Sequence, residues 1–457
     1  MYQKLDLPEK WQWFQQARFG MFIHWGPYAA IGRGEQALFR DHMDPVAYER
    51  QACLWDPASF DARRWARLAK AAGMRYACLT ARHHDGYCLW DSDLTDYTSA
   101  KQAPKRDFVR EYTEAFRAEG LRVGLYYSWL DWRVPAYFEG PGKNPEGFAA
   151  MKAYMHGQVE ELLTRYGQID HFFFDGAWPR TREELGSEAL LEKMRVWQPG
   201  ILVNNRLGRS EAPGVNAEDT GHSRELGDFG TPELNVTAEK RLWEACHVTT
   251  WRLWGYAPGK QVKPPEQLLD LLCECAEKGG NLLMNVAPDG DGEIPPAVAA
   301  NLCAMGRWLE VNGEAVYGTD NGDITEFLTH GRQTARGNTL YLIIRFWEGR
   351  DTLRVNDLLS RVQRVTLLAT GQELPFEQTE SDLLIHGLPA ERPCPLFPVI
   401  RVDCAEPLRT NDWGLWRNWQ GDPQRIADWA RQRGETPAAG SAGFHSASRA
   451  ENGLHRA

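Results

Sequence analysis

The sequence predicts an α/β protein: a (β/α)8-like TIM barrel followed by a small antiparallel β-sandwich. From residue 19 to about 290, short apolar or β-branched runs alternate with longer helix-like segments. Beyond residue 317 the rhythm changes to short alternating runs separated by turns. Repeated strand–helix order favours a parallel barrel. A doubly wound open sheet is the main alternative, but no GxGxxG motif opens the first helix.

Eight runs are the candidate barrel strands, and several are continuously apolar, as expected for strands covered on both faces. They are FGMFIHW (19–25), YACLTAR (76–82), RVGLYYS (122–128), HFFFD (171–175), ILVNN (201–205), VNAED (215–219), TTWRLWG (249–255) and NLLMNVAP (281–288). The sixth run has the faintest pattern, so the barrel is expected to be irregular there.

Helix candidates between these runs carry apolar residues at three- and four-residue spacing and end at a glycine. They include ASFDARRWARLAKAAG, RDFVREYTEAFRAEG and MKAYMHGQVEELLTRYG. We therefore predict a barrel domain over 1–315 and a sandwich over 316–405, which contains TLYLIIRFW, RVQRVTLLAT and SDLLIHGL. A C-terminal extension covers 406–457, and its Ala/Gly/Ser-rich end is predicted to be disordered.

Composition narrows the classes of partner and compartment. The formal net charge is −10 and no basic stripe stands out, which argues against a nucleic-acid partner. No run of about 18 apolar residues predicts a membrane span, and MYQKLDLPEK has no apolar core of a secretory signal. The nine cysteines are scattered without zinc-ligand spacing, so reduced thiols in a cytoplasmic protein are expected. No cofactor is predicted, and a homo-oligomer is left open.

The position of a carboxylate along its strand distinguishes residues expected to stabilise the barrel from residues expected to take part in a reaction. In a barrel enzyme the chemistry lies at the C-terminal ends of the strands. In IDHFFFDGAW, Asp170 precedes the strand and is expected at the opposite end. Asp175 closes the strand and is followed by a glycine that lets a ligand approach. By position alone, Asp175 is equally a nucleophile or a helix N-cap or turn residue.

Other strand ends carry hydrogen-bonding side chains. These are His24, His83, His84, Tyr126 and Arg206. Neutral donors and one arginine around a carboxylate are typical of a pocket that binds sugar hydroxyls, and the 19 tryptophans add a weak indication of carbohydrate stacking. A metal site made by the two adjacent histidines is disfavoured, because neighbouring strand residues point to opposite faces.

Glycoside hydrolysis also requires a second carboxyl group, which lies about 5–5.5 Å from the nucleophile in a retaining enzyme. The candidates follow the fifth strand: Glu211, Glu218, Glu225, Glu233, Glu239 and Glu244. Spacing in the sequence does not choose among them.

Several segments in order resemble the family 29 α-L-fucosidases. They are WFQQARFGMFIHWGPYA, ARHHDGYCLWDSDLTDYTS followed by KRDFVREY, LRVGLYYS, FFFDGAW, WGYAP and GGNLLMNVAPDGDGEIP, spread over roughly residues 10 to 320. The resemblance implies a barrel followed by a β-sandwich, and hydrolysis of α-L-fucosides with retention and without a metal. The implied partner is a small molecule or oligosaccharide bearing a terminal fucose.

The resemblance also implies roles for individual residues. Asp175 becomes the nucleophile, and Glu233 in GDFGTPE becomes the acid/base, with Glu244 in LWEACH as the runner-up. Residues that bind the fucose hydroxyls are His24, His83, His84, Tyr126 and Arg206. Trp254 is expected to pack on the C5 methyl face of the sugar.

Two positions depart from the family pattern. Glu35 falls where the family has a sugar-binding Glu-Trp pair, but Gln36 replaces the Trp and puts that contact in doubt. Phe173 stands where many members have Trp, which keeps an aromatic ring. These departures keep two alternatives open: a sugar-binding protein that has lost catalysis, and a related barrel glycosidase that acts on another sugar such as an L-galactoside.

Overall fold

The computed structural model describes residues 7–210, 226–321, 330–347, 349, 351–356, 358–379 and 382–409. The predicted sixth strand at 215–219 and the C-terminal tail from residue 410, with its predicted disorder, lie outside the described residues.

Eight parallel strands form one sheet in the order β5-β4-β3-β2-β1-β8-β7-β6. Their bounds are β1 Phe19–Ile23, β2 Tyr76–Arg82, β3 Arg122–Ser128, β4 His171–Asp175, β5 Leu202–Val203, β6 Phe229–Gly230, β7 Leu242–Val248 and β8 Asn281–Val286. A parallel bridge between Asn204 and Phe229 joins the two ends of this sheet and closes it into a ring. The predicted barrel is therefore confirmed.

Two strand predictions differ from the structure. β5 and β6 contain two residues each. The sixth strand was predicted at 215–219, whereas β6 lies at 229–230. The seventh strand was placed at 249–255, which is wrong, because β7 ends at Val248 and those residues form the following loop. The β7 run, LWEACHV, is buried throughout, but Glu244, its third residue, interrupts the apolar pattern that would identify a strand.

The helices surround the barrel and present apolar faces to it. Their bounds are α1 Glu9–Ala17, α2 Tyr28–Ile31, α3 Ala37–Arg40, α4 Pro45–Leu54, α5 Ala62–Ala71, α6 Phe108–Ala118, α7 Pro135–Lys143, α8 Pro145–Arg165, α9 Arg182–Leu185, α10 Ser187–Trp197, α11 Pro265–Glu277 and α12 Pro296–Asn312. Capping carboxylates start two of the predicted helices: Asp61 accepts from the backbone N–H of Arg63, and Asp107 accepts from that of Arg110. None of the helices within the described residues is long and apolar enough to cross a membrane.

The sandwich follows the barrel, as predicted. Its strands are β9 Asp320–Asn321, β10 Gly331–Arg336, β11 Thr339–Ile344, β12 Thr352–Asn356, β13 Val362–Leu367, β14 Gln372–Glu373, β15 Phe376–Gln378, β16 Asp382–His386 and β17 Val399–Cys404. They form an antiparallel sheet of six strands and another of three. Leu342, Val365 and Ile400 of the larger sheet share a buried cluster with Leu383 and Ile385 of the smaller one.

A charged contact fixes the sandwich against helix α11 of the barrel. Arg332 on β10 pairs with Asp270 at 3.2 Å, Glu274 at 2.9 Å and Glu277 at 3.1 Å. These three carboxylates recur at four- and three-residue spacing, so they share one face of the helix. The contact holds the two domains together, and none of its four residues lines the pocket described below.

The N-terminal end of the barrel is stabilised by polar pairs. Asp170 accepts hydrogen bonds from the backbone N–H of Val123 at 3.0 Å and from Arg122 at 2.7 Å. It therefore joins the starts of β3 and β4, and its predicted place at the end opposite the chemistry is confirmed.

Candidate active site

A pocket of about 660 Å³ opens at the C-terminal end of the barrel. Its volume lies within the range of about 300–1,000 Å³ that is typical of small-molecule sites. It brings together the predicted nucleophile, the first-choice acid/base and all the predicted sugar-binding residues: His24, Glu35, His83, His84, Tyr126, Phe173, Asp175, Arg206, Glu233 and Trp254. They come from the ends of most of the barrel strands and from the loops that follow them.

Asp175, the last residue of β4, has both carboxylate oxygens occupied. Oδ2 accepts from the Tyr126 hydroxyl at 2.8 Å, and Oδ1 accepts from Arg206 at 2.9 Å. Nε2 of His84 lies 3.7 Å from Oδ2. Burial raises the pKa of Asp175, but the Arg206 charge, His84 and the two hydrogen bonds outweigh it and lower the pKa to about 2. The carboxylate is thus ionised and held in one orientation.

Two histidines beside Asp175 are neutral at physiological pH. Burial lowers the pKa of His24 to about 3 and that of His84 to about 4. His24 contacts the Asn285 side chain through Nδ1 at 2.7 Å, and Nδ1 of His84 lies 2.6 Å from the Ser128 hydroxyl. The other ring nitrogen of each is therefore available to exchange hydrogen bonds with a neutral ligand.

His83 and His84 do not point to opposite faces, so the strand alternation argued from sequence does not apply to them. β2 ends at Arg82, and both residues lie in the turn that follows it. Their ring centroids are 4.1 Å apart and both rings line the pocket. Among the described residues, no group of three or more His, Cys, Asp or Glu side chains is placed to hold a metal ion.

Arg206 links two carboxylates across the pocket. Nη1 donates to Asp175, while Nη2 donates to Oε2 of Glu233 at 2.9 Å. Nε donates to the Thr231 hydroxyl at 3.0 Å, which fixes the plane of the guanidinium group. The side chain also lies over the Phe173 ring, 5.1 Å from its centroid. Because two neighbouring nitrogens bind the two carboxylates, Asp175 and Glu233 face the same small volume.

The remaining glutamate candidates separate clearly by position. Glu211, Glu218 and Glu225 lie outside the described residues. Glu239 lines the pocket but pairs with Arg241 at 2.9 Å rather than with Arg206. Glu244, the runner-up, lies near the start of β7, where it is fully buried away from the pocket.

Glu244 is the centre of a polar cluster inside the barrel. It accepts from the Tyr76 hydroxyl at 2.7 Å and binds Nε2 of His171 at 2.8 Å. We expect Glu244→Ala to lower the free energy of unfolding by about 3–5 kcal/mol, because both partners lose their acceptor in a dry interior. Chemical denaturation measures the effect. Glu239→Ala, which removes a partly exposed ion pair, is the control and is expected to cost about 1 kcal/mol or less. Equal losses in the two variants would contradict this role.

Glu35 supports the pocket wall through the loop after β7. Its Oε2 accepts from the backbone N–H groups of Trp254 at 3.2 Å and Gly255 at 2.7 Å. No described residue donates to Oε1, the other oxygen. Trp254 packs beside His24, with ring centroids 5.2 Å apart, and its carbonyl accepts from Asn285. Glu35 therefore positions Trp254 and keeps one oxygen for a ligand.

Some pocket residues were not predicted from the sequence. They are Arg40 at α3, Trp178 after β4, Thr231, Pro232, Leu234, Asn235 and Thr237 around Glu233, and Cys246 on β7. Trp178 had a signal, since it stands three residues after the closing aspartate of a strand. Thr231 had none, because its role depends on Arg206 reaching it from another loop.

Comparison with known proteins identifies the family of this site. The model of the α-L-fucosidase family matches residues 2–314. The chain belongs to the α-L-fucosidase family. The human tissue α-L-fucosidase is 27% identical over 409 residues, which cover 82% of this chain and 84% of that protein. The resemblance seen in the sequence motifs, and the prediction of a glycoside hydrolase, are therefore confirmed.

Solved structures of the α-L-fucosidase family share the fold. Isoenzyme 1 from Paenibacillus thiaminolyticus is 36% identical with a TM-score of 0.79, over 87% of this chain and 99% of that chain. A family 29 enzyme from Bacteroides thetaiotaomicron, trapped as a covalent intermediate with 2-fluoro-fucosyl fluoride, is 28% identical with a TM-score of 0.78, over 87% of this chain and 96% of that chain. Both similarities extend through the sandwich as well as the barrel.

The two departures from the α-L-fucosidase pattern have different surroundings. Phe173 is buried between Tyr126, at a centroid distance of 5.9 Å, and the Arg206 guanidinium. The smaller ring thus still supports the base of the pocket. Gln36, in contrast, lies partly exposed at the rim, where its Oε1 accepts from Nε of Arg40 at 2.8 Å.

Proposed function

We propose that this protein is a retaining exo-acting α-L-fucosidase in which Asp175 is the nucleophile and Glu233 is the general acid/base. The single observation that carries the proposal is the Arg206 guanidinium, which binds both carboxylates at 2.9 Å. Two carboxylates held this close favour the separation of about 5–5.5 Å of retaining enzymes over the wider gap of inverting ones. The trapped covalent intermediate of the Bacteroides enzyme supports the same mechanism.

The reaction proceeds in two displacements. Asp175 attacks C1 of the fucoside while the bond from C1 to the leaving oxygen breaks and Glu233 gives its proton to that oxygen. An alcohol leaves, and a fucosyl ester remains on Asp175. Glu233 then takes a proton from water as the water oxygen attacks C1. Fucose leaves with its original anomeric configuration, and both carboxyl groups return to their starting states.

The rest of the pocket suits a neutral deoxy sugar. Neutral His24, His83 and His84 and the Tyr126 hydroxyl supply hydrogen bonds to hydroxyl groups. Burial and the Asp175 charge raise the pKa of Tyr126 well above its usual range, so this phenol remains a donor. Trp254 offers an apolar face for the C5 methyl group, and Oε1 of Glu35 offers an acceptor beside it.

The proposed substrate is a small molecule or oligosaccharide with a terminal α-L-fucose, and the proposed compartment is the cytoplasm. All nine cysteines are free thiols, which supports a reducing environment because disulfides are rare there.

The test is hydrolysis of 4-nitrophenyl α-L-fucoside, with the anomer of the released sugar followed by NMR. We expect turnover with α-L-fucose as the first product. β-L-Fucose as the first product would reject the retaining mechanism. The matched L-galactoside, which carries a C6 hydroxyl in place of hydrogen, tests the competing sugar. Fucose binding without turnover of this substrate or of a natural fucosylated oligosaccharide would support the binding-protein alternative.

Arg206→Gln is expected to lower kcat/KM at neutral pH by about 10²–10³-fold, because a preorganised charged donor is lost. The acid limb of the profile of kcat/KM against pH is also expected to move to higher pH. Arg206 holds the pKa of Asp175 at about 2 against the effect of burial. Without this charge the pKa rises, the nucleophile protonates at higher pH, and activity is lost earlier as pH falls. Profiles of kcat/KM against pH measure this, with Arg206→Lys as the charge-conserving control. An acid limb in Arg206→Gln that matches that of the wild type and of Arg206→Lys would contradict this role of Arg206.

A further inference from the structure

One arginine at the rim of the pocket has no carboxylate partner among the described residues. Arg40, the last residue of α3, is exposed and lines the same pocket as Asp175 and Glu233. Within the described residues, Gln36 is the partner of its guanidinium group, and no carboxylate pairs with it. The neighbouring Asp41 pairs with Arg33 instead, at 2.9 Å. The chain has a net charge of −10, so acidic side chains are plentiful. Arg40 nevertheless has no carboxylate partner among the described residues, although it lies at the pocket that holds Asp175 and Glu233.

Gln36 orients this arginine. Its Oε1 accepts from Nε of Arg40 at 2.8 Å, one helical turn away. The hydrogen bond uses the inner nitrogen and leaves Nη1 and Nη2, the two ends of the guanidinium fork, without a described partner. A fork held in this way presents two parallel donors, the arrangement that binds carboxylate or sulfate oxygens. The position at which the family pattern has Trp therefore serves here to direct a cation.

A chain of aromatic contacts leads from the neighbourhood of the nucleophile to the segment that carries Arg40. His84, 3.7 Å from Asp175, contacts Trp132 at a centroid distance of 5.4 Å. Trp132 in turn stacks on Phe39 at 5.7 Å with planes 14° apart, and Phe39 is the residue before Arg40. Phe39 is 61% exposed. The exposed Phe39 ring beside Arg40 can support a sugar ring that extends beyond the pocket.

We propose that Arg40 binds an anionic group, a carboxylate or a sulfate, on the sugar from which the fucose is removed. The inference rests on the proposed function, because it takes the fucose to occupy the base of the pocket near Asp175. The leaving sugar then lies at the rim, where an exposed side chain can reach it. The net charge of −10 disfavours the approach of an anionic glycan to the protein as a whole. Arg40 offsets this repulsion at the rim of the pocket.

Two matched pairs of substrates test the inference. One pair is an α-L-fucosyl disaccharide of a uronic acid and that of the corresponding neutral hexose. The other is a neutral fucosyl disaccharide and its sulfate ester. We expect the wild type to prefer the anionic member of at least one pair by about 5- to 20-fold in kcat/KM, as a partly exposed charge-assisted contact allows. The pair that shows the preference identifies the anion, and the preference is expected to fall as salt is raised.

Arg40→Gln is expected to abolish the preference, whereas Arg33→Gln is the matched control. Arg33 is exposed on the same segment and pairs with Asp41 outside the pocket lining, so its loss keeps the preference. The inference is wrong if the wild type shows no preference while turning over neutral substrates, or if Arg40→Gln keeps it. Failure of all turnover would instead reject the proposed function. Calorimetric binding of both disaccharides to Asp175→Asn, with and without Arg40→Gln, then tests Arg40 independently, and equal affinities in the two proteins would overturn its role.

Discussion

Replacing Asp175 with alanine is expected to lower kcat on 4-nitrophenyl α-L-fucoside by about 10⁴–10⁶-fold, the scale seen when a covalent nucleophile is removed. The substrate supplies a good leaving group, so attack on C1 is the step that the enzyme must provide. Asp175 is ionised, with its oxygens fixed by Tyr126 and Arg206 at 2.8 and 2.9 Å. No other described carboxylate shares that guanidinium except Glu233.

Two further variants separate the nucleophile from a structural role. Asp170→Asn changes the aspartate at the opposite end of the same strand, where it binds Val123 and Arg122. It is expected to keep turnover while lowering stability. Asp175→Gly with added azide tests the chemistry, because azide can enter the vacated space and attack C1 from the same side. The expected product is β-L-fucosyl azide. Near wild-type turnover in Asp175→Ala would show that the assignment is wrong.

The parts of the fold that were predictable are those in which burial dominates the pattern. β2 is buried throughout and β4 is buried up to its last residue, the half-buried Asp175, and both sequences are largely apolar runs that end at the active end of the barrel. β7 is equally buried but contains Glu244, whose cost is offset by Tyr76 and His171 from other strands. A pattern of neighbouring residues in the sequence contains the charge of Glu244 but not its partners, which lie on other strands. β6 has two residues, too few for any period to appear.

The candidate site was predictable to the extent that one rule, chemistry at strand ends, applies to it. That rule found His24, Asp175 and Arg206 before any resemblance entered. It did not choose Glu233, which lies in a loop and is placed by Arg206 from a different loop. The separate argument from strand alternation, which placed His83 and His84 on opposite faces, was wrong, because β2 ends at Arg82 and both residues lie beyond it. Contacts between loops depend on tertiary packing and leave no local signal.

Replacing Glu233 with glutamine is expected to affect substrates according to their leaving groups. For a fucosyl disaccharide, the departing alcohol needs a proton, and kcat/KM should fall by about 10²–10⁴-fold. For 4-nitrophenyl α-L-fucoside, the departing phenolate needs little help, so the first step should be retained far better. The second step still lacks its base. A burst of nitrophenol followed by slow turnover is therefore the expected time course, and the trapped fucosyl ester should be visible by mass spectrometry.

Glu239→Gln is the control, because Glu239 lines the same pocket but pairs with Arg241 rather than with Arg206. It is expected to show no dependence on the leaving group beyond that of the wild type. If the burst and the selective loss on disaccharides appear in Glu239→Gln and not in Glu233→Gln, the acid/base is Glu239 and Arg206 serves only to hold Glu233 at the pocket wall. If neither variant shows them, the acid/base is another carboxylate, and the next to replace are Glu35 in the pocket and then Glu211, Glu218 and Glu225, which lie outside the described residues.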